Sequence, residues 1–292
     1  MLGQEAHTHS CVHEWYMRAM PKIQKSVVTV PPPVNAGRET KKRAEARQHL
    51  ADVLFDEHGN RRLPSGKELI EAMGECDRRD IWWVCEANSK APLYLLPTKE
   101  WVRALCRFLD DTGAQTVLDA AAGDGFLAKC ITEARPTLKV HAVDSGAWAK
   151  PQARMNAKDK KEFRGIAFAG LQCGANVVRM DAAAAVKKFK PDVTLVSWAP
   201  PGLLVEKVIK APSSLVVEIS VEGEVCGNGV MTWRFNKEFL TGPVEDLALC
   251  RMDARPHVAR ESRITVYFGK RHPEFSEDKW MMPQLKEMRE AG

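Results

Sequence analysis

The fold of this chain is decided by the stretch Thr116–Phe126, which reads TVLDAAAGDGF. Its first three residues favour a β-strand, and Asp119 is expected to end that strand. Only small residues and one aspartate follow as far as Gly125, and Phe126–Ile131 then takes up helical spacing. The pattern predicts a strand, a tight turn and a helix, so that backbone N–H groups at the helix N-terminus can approach a ligand closely.

Strands and helices are predicted to alternate after this stretch. The predicted strands are Lys139–Val143, Asn176–Met180, Val193–Ser197 and Ser214–Ile219, and the predicted helices are Phe126–Ala134, Ala182–Lys190 and Leu203–Lys210. Such alternation indicates a parallel sheet with helices on both faces. Two late strands, Leu247–Met252 and Ile264–Phe268, have no helix between them and are expected to form an antiparallel pair. The predicted fold class is α/β, a doubly wound, mostly parallel seven-stranded sheet with a terminal antiparallel pair.

The residues before Thr116 are predicted to form a helical appendage. Ser65 and Glu68 have the spacing of a capping box, and Thr98 is suited to cap the last helix before the sheet. The predicted division of the chain is a flexible arm over residues 1–37, a helical appendage or lid over 38–113, a main domain over 114–270 and a tail over 271–292.

Composition limits the classes of protein to consider. The 292 residues are 45% hydrophobic with a formal net charge of +5, which permits an anionic partner without requiring one. The eight cysteines form no C-x-x-C pair, so they predict reduced thiols in an intracellular, cytoplasmic protein, with an organelle or the nucleus left open. No segment approaches the about 18 apolar residues of a membrane helix, so no membrane partner is expected. His7, His9, Cys11 and His13 lack a second ligand pair, and no metal site is predicted.

Polar side chains stand where four of the predicted strands end: Asp119, Asp144, Asp181 and Ser197. In an open parallel sheet ligands bind at the carboxyl ends of the strands, so these four are expected to project into one crevice. Asp144 lies 19 residues beyond Gly125, the interval at which an acidic side chain accepts hydrogen bonds from ribose hydroxyls. Asp181 offers a second acceptor suited to an exocyclic amine, or it caps the helix that follows.

With these residues the chain resembles the class I S-adenosylmethionine-dependent methyltransferases over Thr116–Gly269, about half its length. The opening stretch is similar to the family's first motif, D-x-G-x-G-x-G. Asp119, Gly123 and Gly125 match this motif, and Ala121 stands where its first glycine is usual. An alanine is expected to fit there if it keeps a negative φ.

The resemblance implies a site for S-adenosylmethionine as cofactor. The residues implied to form it are Asp119, Ala121, Gly123, Gly125, Asp144, Ser145, Asp181, Ala182 and Ser197. In this set the glycine-rich loop holds the methionine part and Asp144 binds the ribose. Asp181 binds the adenine amine, with the backbone N–H of Ala182 nearby. The implied function is methyl transfer to an acceptor that is RNA or DNA, a protein or a small molecule.

Ser197–Gly202, which reads SWAPPG, occupies the place of the family's fourth motif beside the methyl group. Members that methylate amino groups of planar bases commonly carry Asp, Asn or Ser before the two prolines and an aromatic residue after them. Alanine and glycine stand there in this chain, so base N-methylation is open but not favoured. Trp198, Pro200 and Pro201 are expected to form the wall against which the acceptor binds. No catalytic base is predicted, because a well-positioned nucleophile needs little acid–base help.

Two other functions fit part of the pattern. Gly123–Ala128 also matches G-x-G-x-x-A, so an NAD(P)-dependent oxidoreductase is an alternative, although it leaves Asp119 and Asp181 unexplained. A methyltransferase-like domain that serves as a non-catalytic binding module is the other. Nucleic acid is a possible partner through the basic segments 41–47 and 150–164.

Overall fold

The computed structural model of the protein describes residues 40–86, 92–146, 172–199, 202–221, 226, 229–253 and 261–284. Several predictions concern residues outside these ranges. They are the arm over residues 1–37 with its histidines, the basic segment 150–164, and two members of the expected acceptor wall, Pro200 and Pro201.

In the described part of the chain, four helices precede the sheet. They are α1 Lys41–Leu54, α2 Gly66–Gly74, α3 Arg78–Glu86 and α4 Lys99–Asp111. The side chains of Thr40, Ser65 and Thr98 accept hydrogen bonds from first-turn N–H groups of α1, α2 and α4. The predicted capping box is present, because the backbone N–H of Ser65 also donates to the carboxylate of Glu68. Local sequence signals therefore place the start of three of these helices.

Seven strands form one sheet in the order β3-β2-β1-β4-β5-β7-β6. The strands are β1 Thr116–Ala120, β2 Lys139–Asp144, β3 Val177–Arg179, β4 Val193–Ser197, β5 Leu215–Val221, β6 Lys237–Phe239 and β7 Ser262–Phe268. Strands β1 to β5 pair in parallel, whereas β7 pairs antiparallel with both β5 and β6. This confirms the predicted seven-stranded, mostly parallel sheet with an antiparallel pair at its end.

Helices cover both faces of the sheet. They are α5 Phe126–Ala134, α6 Ala182–Phe189, α7 Leu204–Lys210 and the short α8 Pro243–Asp246, in addition to α4. Val117 of β1 shares a buried cluster with α4 and α5, whereas its neighbour Leu118 shares one with α6 and α7. Since successive strand residues point to opposite faces, β1 is covered on both sides and the sheet is doubly wound.

One predicted strand is wrong. Leu247–Met252 follows α8 and makes only a single bridge, from Cys250 to Leu95, while the edge strand is Lys237–Phe239. The run is apolar because Ala248, Leu249 and Cys250 fill the space between the sheet and the N-terminal helices. A short apolar run of this kind cannot be told from a strand by its pattern alone.

Helix α4 packs directly on the sheet. Trp101 is fully buried in the cluster that contains Val117, and its indole N–H donates to the carbonyl oxygen of Val244 at 2.8 Å. Helices α1, α2 and α3 share a separate buried cluster that Leu93, Leu96 and Leu249 complete. The predicted domain boundary at residue 113 remains a prediction, and α4 lies in the layer that covers the sheet.

Trp101→Ala is therefore expected to destabilise the protein by about 3–5 kcal/mol, because it leaves a large cavity and an unpaired carbonyl oxygen. Urea unfolding followed by circular dichroism measures this loss. The matched control is Arg103→Ala on the exposed side of the same helix, which should change stability by less than about 0.5 kcal/mol. Equal effects of the two substitutions would contradict the packing of α4 on the sheet.

Candidate functional site

The candidate site lies at the carboxyl ends of β1, β2 and β4. Strand β1 has β2 on one side and β4 on the other, so the chain reverses direction across the sheet at this point. Ala120 at the end of β1 pairs with Val143 and with Val196, which brings the ends of the three strands together. Such a switch point is where ligands bind in open α/β sheets. Asp144 and Ser197, the last residues of β2 and β4, both lie at this edge.

The loop after β1 reverses sharply. Ala121, Gly123 and Gly125 have φ values of 60°, 61° and 76°, so the condition under which an alanine was expected to fit at position 121, a negative φ, is not met. The reversal is held by two backbone bonds, from the N–H of Ala122 to Val143 and from the N–H of Gly125 back to Ala122. A left-handed conformation costs a residue with a Cβ atom roughly 1–2 kcal/mol, so Ala121 is strained.

Asp144 ties this loop to β2. Its Oδ2 accepts a hydrogen bond from the backbone N–H of Gly123 at 3.1 Å, and its Oδ1 accepts one from Gly146 at 2.7 Å. The side chain is buried. A carboxylate offers about four acceptor positions, so two backbone bonds leave capacity for two further donors such as ribose hydroxyls.

Asp119 does not end its strand. Strand β1 continues to Ala120, and Asp119 is only 1% exposed on the face covered by α5. The backbone N–H of Ala128 in α5 stabilises its charged form, but burial raises the pKa of the carboxyl to about 7. Its Oδ2 has no partner among the described residues. The prediction that Asp119 projects into the crevice with the other strand ends is therefore wrong, because one extra strand residue turns its side chain to the helix.

Two carboxyl groups serve the first turn of α5. The N-cap residue, Gly125, has no side chain to offer. Asp124 accepts a hydrogen bond from the N–H of Phe126 at 3.1 Å, and Asp119 receives the N–H of Ala128. The N-terminus of this helix therefore faces carboxyl oxygens of the protein itself.

The other predicted cofactor residues stand nearby with varied environments. The Oδ1 atom of Asp181 accepts a hydrogen bond from Ala184 N–H at 3.0 Å, so this residue caps α6. Ala182 is buried, Ser145 is exposed just after β2, and Ser197 is half-buried. The predicted contact of Asp181 with an adenine amine remains a prediction, as does the rest of the cofactor set.

Trp198 follows β4 and is held in an unusual conformation. Its φ is 51°, which is rare for a bulky residue and indicates strain. The side chain is 9% exposed, and its indole N–H has no hydrogen-bond partner among the described residues. Its ring lies 5.4 Å from that of Tyr94, centroid to centroid. The strain and the unpaired donor both fall where the acceptor wall is expected.

Tyr94 and Arg251 are neighbours of the site that do not belong to the predicted set of site residues. The guanidinium of Arg251 lies 4.1 Å from the ring centroid of Tyr94 and 3.7 Å from that of Trp82, and it pairs with Glu86. Trp198, Tyr94, Arg251 and Trp82 thus form a continuous stack beside the strand ends. No motif signals it, because its members are far apart in the sequence.

The basic segment 41–47 lies in the first half of α1. Arg43 and Arg47 both donate to Asp80, at 2.8 Å and 3.2 Å, and Arg47 is 2% exposed. Lys41 and Lys42 are the exposed cations of this segment. Two of the four charges that were predicted to favour nucleic acid are therefore used inside the fold.

Among the described residues, the cysteines and the side chains that could bind a metal form no second candidate site. All seven described cysteines are free, and six of them are buried. The described part of the chain contains no group of three or more His, Cys, Asp or Glu residues that could hold a metal ion. Among the described helices none is long and apolar enough to cross a membrane.

Comparison with known proteins finds similarity only to solved structures. No protein-family model matches the chain, and a search of curated proteins finds no match. The methyltransferase domain of a bacterial CtHen1 protein is 14% identical with a TM-score of 0.35, over 58% of this chain and 98% of that one. The 23S rRNA methyltransferase ErmE is 17% identical with a TM-score of 0.30, over 64% and 75%. Human N-acetylserotonin methyltransferase, in complex with S-adenosylmethionine, is 11% identical with a TM-score of 0.34, over 77% and 67%.

These similarities are too low to carry an activity from those proteins to this chain. The sheet order and the antiparallel β7 are nevertheless those that the resemblance to class I methyltransferases implies, so the expected fold is present. The function is therefore inferred from the residues of the site.

Two buried carboxyl groups predict how stability depends on pH. Burial raises the pKa of Asp119 and of Glu218 to about 7, and the hydroxyl of Tyr267 donates to Glu218 at 3.0 Å. Both carboxyls keep their protons in the folded protein up to that pH, whereas the unfolded chain loses them near pH 4. Their contribution to the free energy of unfolding is complete below about pH 4 and is lost as the pH rises to 7.

Urea unfolding between pH 4 and 8 tests this prediction. The double variant Asp119→Asn, Glu218→Gln should gain stability relative to the parent protein as the pH rises through this window. A stability difference between the two proteins that stays constant with pH would contradict the raised pKa values.

Proposed function

We propose that this protein is an S-adenosylmethionine-dependent methyltransferase whose cofactor lies over the loop after β1 and whose acceptor binds beside Trp198. The observation that carries the proposal is the set of carboxyl groups around the start of α5. Asp119 and Asp124 face the first-turn N–H groups there, and Asp144 lies on the other side of the loop.

This arrangement separates the two cofactor classes. A dinucleotide places its anionic pyrophosphate on free N–H groups at the helix N-terminus. In this chain the N–H groups of Phe126 and Ala128 already face carboxyl groups, so they are not free to bind a phosphate. S-adenosylmethionine carries no phosphate and does not need those N–H groups, and its positive sulfonium is compatible with the nearby carboxylate of Asp144.

The residues present fit such a cofactor. Asp144 has acceptor capacity for two ribose hydroxyls after its bonds to the backbone. Gly123 offers a backbone without a side chain beside it, and Asp181 is exposed at the next strand end. When bound, the cofactor supplies a methyl group on a positively charged sulfur, which a nucleophile displaces. The protein's own task is then to hold the two reactants in line and to exclude water.

The acceptor wall supports a planar or nitrogen-bearing acceptor over an aliphatic hydroxyl. Trp198 and Tyr94 form a tilted aromatic pair at the end of β4, and the indole N–H of Trp198 is buried there without a hydrogen-bond partner among the described residues. The molecule that carries the acceptor is to be identified by screening RNA, DNA, protein and metabolite fractions for methyl label transferred from the cofactor. Free cysteines support an intracellular location for the reaction.

Calorimetry with S-adenosylmethionine, S-adenosylhomocysteine, NAD(H) and NADP(H) tests the cofactor. We expect binding of the first two, weakened by about 1.5–3 kcal/mol in Asp144→Ala, which removes a charged hydrogen-bond acceptor. Asp192→Ala is a matched control, because Asp192 also accepts two backbone N–H bonds, from Gln115 and Thr116, beside the start of β1. This control should lower stability without changing cofactor affinity.

The outcome also decides between the alternatives. Binding of a nicotinamide cofactor alone would replace the proposal by an oxidoreductase. Binding of S-adenosylmethionine with no transfer of label into total RNA, DNA, protein or metabolites would favour the non-catalytic binding module.

Trp198→Ala is expected to reduce methyl transfer by about tenfold or more, because the acceptor loses the surface that positions it. Cofactor affinity should stay within a few-fold, since the cofactor contacts come from other strand ends. Trp198→Phe keeps an aromatic surface and serves as the control for folding. Transfer is measured from labelled cofactor to the acceptor that the screen identifies, and equal rates in parent and Trp198→Ala would remove Trp198 from the acceptor wall.

A further inference from the structure

Arg61 reaches from the N-terminal helical part into the loop after β1. It follows a turn between α1 and α2, where it forms a bridge with Phe55. Its Nη1 atom donates to Asp124, at 3.1 Å from Oδ1 and 3.2 Å from Oδ2. The two side chains are only 17% and 18% exposed, so this ion pair is shielded from solvent and from salt.

The same guanidinium makes two further contacts. Its carbon lies 4.1 Å from the centroid of the Phe126 ring, the first residue of α5. Its Nη2 donates to the carbonyl oxygen of Leu95 at 3.3 Å. Leu95 adjoins Tyr94, whose carbonyl oxygen accepts the backbone N–H of Arg251. One side chain therefore contacts the loop, the start of α5 and the segment that carries the aromatic stack.

The loop needs support of this kind. Ala121, Gly123 and Gly125 are left-handed, and the alanine is strained. The charged form of Asp124 disfavours ionisation of Asp119, so the carboxyl groups around the loop repel one another. Among the described residues, Arg61 is the cation that forms an ion pair with a carboxylate of this loop. A guanidinium that donates from one nitrogen to a carboxylate and from the other to a carbonyl oxygen is held in a fixed direction, which suits a residue that has to hold one loop conformation.

We propose that Arg61 is a positioning residue that preorganises the cofactor loop, so that the N-terminal helical part controls how tightly the cofactor binds. This inference rests on the proposed function for its consequence, but the ordering of the loop itself does not. Arg61 acts through Asp124 and Phe126 and needs no contact with the cofactor. We call the Arg61–Asp124 ion pair the clamp. Without it the loop would sample other conformations, and cofactor binding would then have to order the loop again.

Amide hydrogen exchange of the protein without any ligand tests the clamp. Arg61→Met keeps the aliphatic stem and removes the guanidinium, so amides of residues 122–126 should exchange about tenfold faster or more. The matched control is Arg62→Met, whose parent side chain donates to the Asp52 carbonyl oxygen in α1. This control should leave exchange in the loop unchanged. Equal exchange in the two variants would overturn the proposal.

Calorimetry with S-adenosylhomocysteine measures the consequence. Affinity should fall about tenfold in Arg61→Met, as expected when one charge-assisted hydrogen bond is lost. Asp124→Asn keeps the acceptor for Phe126 but removes the charge, and the double variant with Arg61→Met should be no weaker than the more affected single variant. Additive losses in this cycle would overturn the role of the pair.

Two safeguards keep the test decisive. If Arg61→Met does not fold, Arg61→Lys replaces it. A lysine keeps the positive charge but lacks the two guanidinium nitrogens. Loop amides that exchange faster than in the parent protein, but slower than in the unfolded chain, support the role of Arg61. Exchange at the rate of the parent protein overturns it. If the parent protein itself binds no S-adenosylhomocysteine, the proposed function fails. The exchange comparison then still decides whether Arg61 orders the loop.

Discussion

The two hydrogen bonds that Asp144 accepts, from Gly123 and Gly146, hold the candidate site in shape. They connect the loop after β1 to the end of β2 at the point where the sheet changes direction. Because the loop contains a strained Ala121, such an external anchor selects its conformation among the alternatives. The position of α5, and with it the side chains that face the crevice, then follows from where the loop ends.

Charge is the second organising factor. A helix N-terminus normally attracts an anion, but in α5 the first-turn N–H groups already face carboxyl groups of the protein itself, those of Asp119 and Asp124. Arg61 balances the group from one side only. This arrangement supports the proposed preference for S-adenosylmethionine over a cofactor that carries a pyrophosphate. The chemistry of the site thus differs from that of a dinucleotide-binding loop that shares the same strand, turn and helix.

The features that could be predicted from the sequence are local ones. The strand, turn and helix around Gly123 and the place of Asp144 follow from spacings within some twenty residues. The side of the sheet taken by Asp119 could not be predicted, since it depends on one further residue of strand. Strand β6, which reads KEF, has no apolar alternation by which to recognise it, and the sequence pattern instead favours the buried run Leu247–Met252 as a strand. The contact of Arg61 with Asp124 spans 63 positions, and no periodic pattern reports such pairs.

The bond from Trp101 to Val244 has a consequence for how the protein is made. The two residues are 143 positions apart, so α4 cannot complete its packing until nearly the whole sheet has been synthesised. At about 5–20 residues per second, a ribosome takes roughly 7 to 30 seconds to add that length. For that time the apolar side of α4 lacks part of its final packing. The nascent chain therefore presents a tryptophan-bearing helix to molecular chaperones before Val244, the partner of its indole N–H, has been added.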